Sequence, residues 1–355
     1  MAVFGQYQKN TTKPRKPKWV AFFVFGMIGV GMCGAIGVTF FVVAGKQAMV
    51  RHTEIPNVSG KTIETARIVE FPVGVNSIKK TITENPTVAE FYSDHISKGD
   101  VPVKVRSDWF GRVLGKLALM SWYQNLASLT SRILIIESGE RKEQVADHFA
   151  KILGWKSDEK AEFLSLIEST APEIKDGKFF PGTYTVEKGA KPTEVAALVV
   201  DRFRAEVLAR YTEEVATHVP LSDALIIASL LEREAYDFED MRHISGIIWN
   251  RLFANMKLQI DATLQYAKGS TSKKTWWPKP VPSDKYIASA YNTYKNVGLP
   301  PAPIANPSLE AILAALNPTE TECMYYFHDK KAGFHCAETY EEHVALLKQY
   351  YGRGK

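Results

Sequence analysis

The sequence predicts an α+β protein in which one transmembrane helix precedes small strand–turn–helix modules and a larger mixed α+β domain. Three features indicate this: an uncharged apolar stretch near the N-terminus, a strand–glycine–helix pattern that recurs in the middle, and closely spaced helix signals in the C-terminal half. The chain has 355 residues, of which 45% are hydrophobic and 23% charged. A chain of this size and composition can bury more than one hydrophobic core.

The N-terminal apolar stretch has the length and the flanking charges of a membrane anchor. Residues 19–44 contain no Asp, Glu, Lys, Arg or His, and these 26 residues are enough to cross a bilayer as a tilted helix. Basic residues crowd the preceding segment, at Lys9, Lys13, Arg15, Lys16 and Lys18. The positive-inside rule therefore predicts a cytoplasmic tail over 1–18, a single-pass anchor over 19–44, a linker over 45–65 and an exported body. A cleaved signal peptide is the alternative, but its apolar core usually spans only about 7–15 residues.

A pattern of β-strand, turn glycine and helix recurs in the middle of the chain. Arg and Gly stand seven residues apart in both 67–74 and 132–139, and Gly189 precedes a helix signal as Gly139 does. Glycine can adopt the positive φ that such a turn requires. The helices that follow are predicted over 144–153 and 192–203. Residues 66–174 are therefore interpreted as small α+β modules that stack on one another.

In the C-terminal part of the chain, the patterns that predict helices and strands are more closely spaced. A nearly all-apolar helix is predicted over 224–235, and its lack of a polar face indicates burial on all sides. The remaining patterns predict helices over 238–253 and 309–316, and a β-hairpin of 324–328 with 334–337 around the turn 329–333.

The sequence lacks the motifs that are typical of several classes of catalytic and binding sites. It contains no HExxH pair, no paired CxxC, no phosphate- or dinucleotide-binding glycine loop and no GxSxG elbow. No metal site and no cofactor are therefore expected. The formal net charge of +5 is concentrated in the N-terminal tail, so the charge gives no support to nucleic-acid binding.

The end of the apolar helix carries two glutamates, Glu232 and Glu234. At about 100° per residue, Glu232 shares its face with the small residues Ala228 and Ser229, whereas Glu234 lies about 200° away. The two carboxylates therefore cannot act as one catalytic pair. Apolar neighbours favour the protonated form of a carboxyl group, as a general acid requires. The alternative is a solvated Glu-Arg-Glu helix end without a catalytic role.

The segment Ala228-Ser-Leu-Leu-Glu232-Arg-Glu234 resembles the signature ASIxExE of the endolytic murein transglycosylases, the MltG or YceG-like family. The resemblance continues in order through Phe180–Tyr184, Ile248–Leu252, Met256–Thr263, Tyr291–Tyr294, Gly298–Pro301, Ile304–Pro307 and Thr339–His343. It implies a YceG-like catalytic domain over 175–355 and, more loosely, LysM-like modules over 66–174.

The resemblance also implies an activity and a location. In this family a single glutamate, which matches Glu232, protonates the oxygen between N-acetylmuramic acid (MurNAc) and N-acetylglucosamine (GlcNAc). The same residue then assists attack by the muramyl C6 hydroxyl, which closes a 1,6-anhydro ring. The expected location is the bacterial cytoplasmic (inner) membrane, with the catalytic domain in the periplasm. The expected partners are peptidoglycan glycan strands and peptidoglycan synthases of the same membrane, not nucleic acid.

Further polar residues match motif positions of the family and are predicted to bind substrate. They are Glu234, Gln259, Asp261, Thr263, Asn292 and Tyr294. For each of them a structural role, such as turn capping by Asp261 or Asn292, is the alternative. Trp276 and Trp277 are predicted either to stack on sugar rings or to pack the loop that carries them.

Two other functions remain open at this point. A membrane-anchored scaffold could bind peptidoglycan without cleaving it, but it would not need an acid in a cleft lined by small residues. A hydrolase would need two carboxylates about 5–10 Å apart.

Cys323 and Cys336 are predicted to form a disulfide in the exported domain, whereas Cys33 lies within the predicted anchor. A hairpin turn centred on Asp329 and Lys330 would place the two cysteines directly opposite each other, at a Cα separation that a disulfide tolerates. The alternative is two independent buried thiols.

Overall fold

The computed structural model describes residues 68–97, 131–171, 174, 176–269 and 275–352. The predicted cytoplasmic tail, anchor and linker lie outside these residues. Within the described ranges, no helix is both long enough and apolar enough to cross a membrane.

Short strands and longer helices make up the described part of the chain. The strands are β1 (Val75–Asn76), β2 (Thr81–Ile82), β3 (Ser131–Ile136), β4 (Gly182–Glu187), β5 (Tyr325–His328) and β6 (Phe334–Ala337). The helices are α1 (Val88–Tyr92), α2 (Lys142–Leu153), α3 (Ser157–Ser169), α4 (Pro192–Phe203), α5 (Glu213–His218), α6 (Leu221–Glu234), α7 (Phe238–Phe253), α8 (Asp261–Lys268), α9 (Leu309–Leu316) and α10 (Tyr340–Tyr351). Single π-helical turns follow α1 at Ser93–Ser97 and α4 at Arg204–Leu208, and a 3₁₀ turn covers Pro282–Tyr286. This is the mixed α+β class that the sequence predicts.

The smaller of two hydrophobic cores lies between one antiparallel strand pair and three helices. Strands β3 and β4 pair from Ser131↔Glu187 to Ile136↔Gly182, and α2, α3 and α4 cover them. Phe149, Phe163 and Phe179 fill the centre of this core. Gly139 and Gly189 have φ of +79° and +89°, so both turn glycines adopt the predicted left-handed conformation.

The pairing of β3 with β4 changes the predicted domain organisation. These strands belong to two successive strand–turn–helix units, and they form one sheet instead of two separate modules. The boundary predicted at residue 174 therefore falls inside this unit. The described residues all belong to one compact unit, Val58–Lys355. The LysM-like character of residues 66–174 stays a prediction.

The strand predicted over 67–74 is wrong, because the described residues 68–74 form an irregular segment. Phe71 and Val75 are buried in the larger core, and the backbone N–H of Gly74 donates to the carbonyl of Leu316 at 2.9 Å. A Cβ at Gly74 would lie 2.6 Å from the carbonyl oxygen of Thr83. This glycine is therefore required by close backbone approach and not by a turn.

Helix α6 is the centre of the larger core. Every residue from Ala224 to Leu231 is buried, as the all-apolar sequence predicts, and α7 and α9 pack against it. Helices α7 and α9 have the predicted bounds. The indole N–H of Trp249 in α7 donates to the carbonyl of Ala315 in α9 at 2.9 Å, which fixes these two helices relative to each other.

The predicted hairpin forms, but its register differs from the prediction. Strands β5 and β6 pair Tyr326 with Cys336, so Cys323 precedes the strand and does not lie opposite Cys336. The reason is the position of the turn, which is centred on Lys331 and not on Asp329 and Lys330. The carboxylate of Asp329 accepts N–H bonds from Lys331 and Gly333, which stabilises the five-residue loop. Cys323 and Cys336 are joined by a disulfide across a Cα separation of 5.8 Å.

Candidate active site

Glu232 lies in the last turn of α6, where its carboxylate meets the N-terminus of α9. Its Oε1 accepts hydrogen bonds from the backbone N–H of Ser308, at 2.9 Å, and from the Ser308 hydroxyl. Ser308 is the N-cap of α9, and its Oγ also accepts the N–H of Ala311 at 3.1 Å. These two hydrogen bonds fix the orientation of the Glu232 carboxyl group against the first turn of α9.

The loop that carries Ser308 is fixed on both sides. On one side, the N–H of Ile304 donates to the Ser229 hydroxyl of α6 at 3.0 Å. On the other, Asn306 donates its backbone N–H to the carbonyl of Glu140 at 2.8 Å and accepts the N–H of Gly139 at 2.9 Å. The loop therefore connects α6 to the turn between β3 and α2.

Ser308 is a site residue that the sequence analysis missed. The motif assigned to the family ended at Pro307, although a serine directly before an apolar helix is a typical N-cap signal. That signal predicts the cap. It does not predict the contact with Glu232, which joins residues 76 positions apart.

Glu234 lies on the other side of α6. Its Oε1 accepts the backbone N–H of Ala262 at 3.4 Å, and its Oε2 accepts the hydroxyl of Tyr326 at 3.1 Å. Burial raises the pKa of Glu234 to about 7, although these two hydrogen bonds act in the opposite direction. Because both oxygens bond to protein groups, Glu234 connects α6 to α8 and the hairpin. These bonds give Glu234 a structural role, and the substrate contact predicted for it stays a prediction.

Two further residues predicted to bind substrate are buried. Thr263 and Asn292 both have 0% exposed surface. The Thr263 hydroxyl donates to the carbonyl of Ile260 at 2.6 Å, and the Asn292 amide donates to the carbonyls of Lys285 and Ile287 at 3.0 and 2.8 Å. These side chains stabilise the segments around α8, because they donate hydrogen bonds to backbone carbonyl groups of those segments. The structure thus shows the structural alternative for both residues, and their predicted contact with substrate stays a prediction.

The other three predicted residues lie at the surface. Gln259 and Asp261 are exposed, and Tyr294 is partly buried. The Tyr294 hydroxyl donates to Oδ1 of Asp261 at 2.6 Å. Burial is the main cause that raises the pKa of Tyr294, and this hydrogen bond raises it further. Gln259, Asp261 and Tyr294 remain predicted substrate contacts.

Stacked arginine and aromatic side chains border the end of α6. The guanidinium carbon of Arg233 lies 4.1 Å from the centre of the Trp277 ring, and the Trp277 indole N–H donates to Gln144 at 3.0 Å. The guanidinium carbon of Arg141 lies 4.1 Å from the centre of the Tyr266 ring and 5.7 Å from the centre of the Trp276 ring. Both tryptophans therefore pack against arginine side chains of the protein.

The arrangement as a whole offers one carboxylate for acid/base chemistry. Among the described residues, the hydrogen bonds that Glu232 accepts are all made by Oε1, so Oε2 is available to a substrate. Glu232 and Glu234 contact different elements of the fold, as their spacing on the helix predicts. Within the described ranges there is no group of three or more His, Cys, Asp or Glu side chains that could hold a metal ion.

Comparison with known proteins places this site in a family. Residues 113–349 match the YceG-like family. The chain is 32% identical over 186 residues to an endolytic murein transglycosylase of Streptococcus pneumoniae serotype 2, which covers 51% of this chain and 33% of the relative. It is 31% identical over 176 residues to an endolytic murein transglycosylase of Bacillus subtilis, which covers 49% of this chain and 48% of the relative.

The matched segment thus spans less than half the length of either relative. A crystal structure of a YceG-like protein from Listeria monocytogenes shares the fold, with a TM-score of 0.54 and 22% identity over 78% of this chain and 98% of that one. The family match extends over more than half of the chain and includes the helix of Glu232 and the loop of Ser308. The chain therefore belongs to the YceG-like family.

Proposed function

We propose that this protein is an endolytic lytic transglycosylase that cleaves the MurNAc–GlcNAc bond of nascent peptidoglycan strands, leaves 1,6-anhydro-MurNAc ends and so terminates glycan elongation. The observation that carries the proposal is the carboxylate of Glu232, which Ser308 holds through Oε1 while Oε2 stays available. The names of the two relatives support the same chemistry.

The reaction needs one residue that first gives and then takes a proton. Neutral Glu232 donates its proton to the GlcNAc oxygen as the bond from that oxygen to C1 of MurNAc breaks. The C6 hydroxyl of MurNAc then attacks C1, and its proton passes to the Glu232 carboxylate. No water is consumed, and Glu232 returns to its neutral form.

The surroundings of Glu232 suit this sequence of steps. The two hydrogen bonds from Ser308 and the N-terminus of α9 stabilise the carboxylate that exists between the two proton transfers. A hydrolase would need a second carboxylate to activate water or to act as a nucleophile. Glu234 does not offer one, because both of its oxygens are bonded within the fold.

The proposal includes a location. A single-pass anchor over residues 19–44 would hold the catalytic domain at the outer face of the bacterial cytoplasmic membrane, in the periplasm, next to newly made strands and their synthases. The support for this part is the uncharged stretch and the basic residues before it.

Product analysis in ¹⁸O-labelled water tests the reaction. The full chain in detergent is incubated with purified glycan strands, and the new ends are identified by mass. We expect ends that are lighter than a reducing end by one water molecule and that carry no label. A hydrolase would incorporate ¹⁸O, and a scaffold would bind strands without creating ends. Either result would overturn the proposal.

A further inference from the structure

Arg233 stands between Glu232 and Glu234 but makes no hydrogen bond or ion pair with the described residues. Its Nε is buried without a partner. The contact it does make is the cation–π contact with the Trp277 ring, at 4.1 Å. Burial lowers the pKa of Arg233, although the charges of the two glutamates oppose that effect. A guanidinium has five N–H donors, and among the described residues this partly buried one has no hydrogen-bond acceptor.

The backbone of Gly139 packs closely against this guanidinium. Gly139, in the turn between β3 and α2, has φ of +79°, and a Cβ there would lie 3.3 Å from Nη1 of Arg233. A side chain at this position would press on the guanidinium. Trp277 covers one face of the guanidinium, and its own position is fixed by the hydrogen bond to Gln144. These neighbours hold the Arg233 guanidinium in place, while its N–H groups have no hydrogen-bond partner among the described residues.

The geometry indicates what kind of group would fill this place. The planar guanidinium fork matches a carboxylate, which can accept two parallel N–H bonds. In peptidoglycan that carries peptide stems, the lactyl carboxyl of MurNAc is an amide and the free carboxylates lie on the stem. Where the stem has been removed, the lactyl group itself bears the carboxylate. Both are found on the sugar whose C1 is attacked in the proposed reaction, and Arg233 directly follows Glu232 in the chain.

We infer that Arg233 binds a carboxylate of the lactyl–peptide substituent of MurNAc and so aligns the muramyl sugar with Glu232. This inference rests on the proposed function, because it concerns the substrate of the same site. The neutral GlcNAc unit cannot make this contact. Arg233 would therefore help the protein to distinguish the two alternating sugars of the strand.

Equilibrium binding in a Glu232→Gln background tests the inference without cleavage. Three kinds of glycan strand serve as probes: strands with intact stems, strands whose stems have been removed so that the lactyl carboxylate remains, and strands whose carboxylates have been converted to methylamides. Adding Arg233→Gln should weaken binding of carboxylate-bearing strands about tenfold or more, because a charge-assisted hydrogen bond is lost. It should leave the affinity for methylamide strands unchanged.

The first two probes identify which carboxylate is bound. An effect of Arg233→Gln on strands with intact stems identifies a stem carboxylate as the ligand, and an effect confined to strands without stems identifies the lactyl carboxylate. Arg233→Lys should restore part of the affinity. Arg204→Gln, at an exposed ion pair with Asp201, is the matched control and should change nothing.

Two outcomes would overturn the inference. One is an Arg233→Gln protein that binds all strands as its parent does. The other is a protein with an unchanged unfolding temperature that loses affinity equally for charged and methylamide strands, since a packing role alone would give that result. These outcomes are separate from a failure of the proposed function, which would appear as a lack of anhydro ends with the unaltered protein.

Discussion

Ser308 donates both its backbone N–H and its hydroxyl to the same oxygen of Glu232, and it is also the N-cap of α9. One residue thus fixes the end of the apolar helix α6, the start of α9 and the orientation of the proposed acid. The other oxygen of Glu232 is left for substrate. This arrangement explains how a carboxyl group at a helix end, which is usually mobile, can be held for chemistry.

Glu232→Gln should abolish strand cleavage while the protein stays folded. Gln has nearly the same shape and can still accept the bonds from Ser308, but it cannot donate and recover a proton. Loss of general acid/base catalysis should lower the rate at least about 10²–10⁴-fold. The rate is measured from the appearance of anhydro ends. Glu239→Gln, an exposed glutamate of α7, is the control and should retain the full rate. Unchanged turnover by Glu232→Gln would show that another residue is the acid.

Ser308→Ala should lower both stability and turnover. The variant loses the N-cap of α9, which should cost about 1 kcal/mol of unfolding free energy, and it loses one hydrogen bond to Glu232. Because that bond stabilises the carboxylate, we expect kcat to fall about tenfold or more, with little change in strand binding. Thr212→Ala removes the N-cap of α5, away from Glu232, and should reproduce only the loss of stability. Equal kcat values for the two variants would contradict the role of Ser308.

Glu234 should make the stability of the protein fall as the pH rises. Burial raises its pKa from 4.5 to about 7, so the folded protein holds this proton more tightly than the unfolded chain does. The unfolding free energy therefore decreases between about pH 4.5 and pH 7 and is then constant with respect to this group. Glu234→Gln should remove this part of the pH dependence, as measured by urea unfolding at several pH values. Parallel pH profiles of the variant and the unaltered protein would refute this assignment.

The disulfide should stabilise the hairpin that supplies Tyr326 to Glu234. Cys323 and Cys336 are 13 residues apart, and closing a loop of this size contributes about 3 kcal/mol. We expect a reductant to lower the unfolding temperature of the protein. It should have no effect on a variant with both cysteines changed to serine. Mass spectrometry after alkylation of the non-reduced protein checks the bond directly, and two alkylated thiols at these positions would disprove it.

The buried and the exposed polar residues of the family motifs should behave differently. Asn292→Ala removes two donated bonds from a fully buried site and should lower the unfolding free energy by about 1–3 kcal/mol. Gln259→Ala, at an exposed position, should leave stability unchanged. It should weaken strand binding, because Gln259 is predicted to contact substrate. Chemical denaturation and strand binding are measured for both variants. A stable Asn292→Ala protein would show that this side chain does not hold its loop.

The sequence alone determined those features that depend on local periodicity. The bounds of α4, α7 and α9 and the burial of Ala224–Leu231 in α6 follow from where apolar residues recur along a helix. The same spacing placed Glu232 and Glu234 on different sides of α6, and the motif around them was enough to identify the family.

Only the tertiary structure decided which distant groups meet. Pairing of β3 with β4 across two modules, the register of the hairpin, and the burial of Thr263 and Asn292 all depend on loop lengths and on contacts between remote segments. The bond from Ser308 to Glu232 is of the same kind. A sequence pattern reports which face of an element is apolar, but it does not report what packs against that face. The fold therefore determines which carboxylate is free for chemistry and which is bonded within the structure.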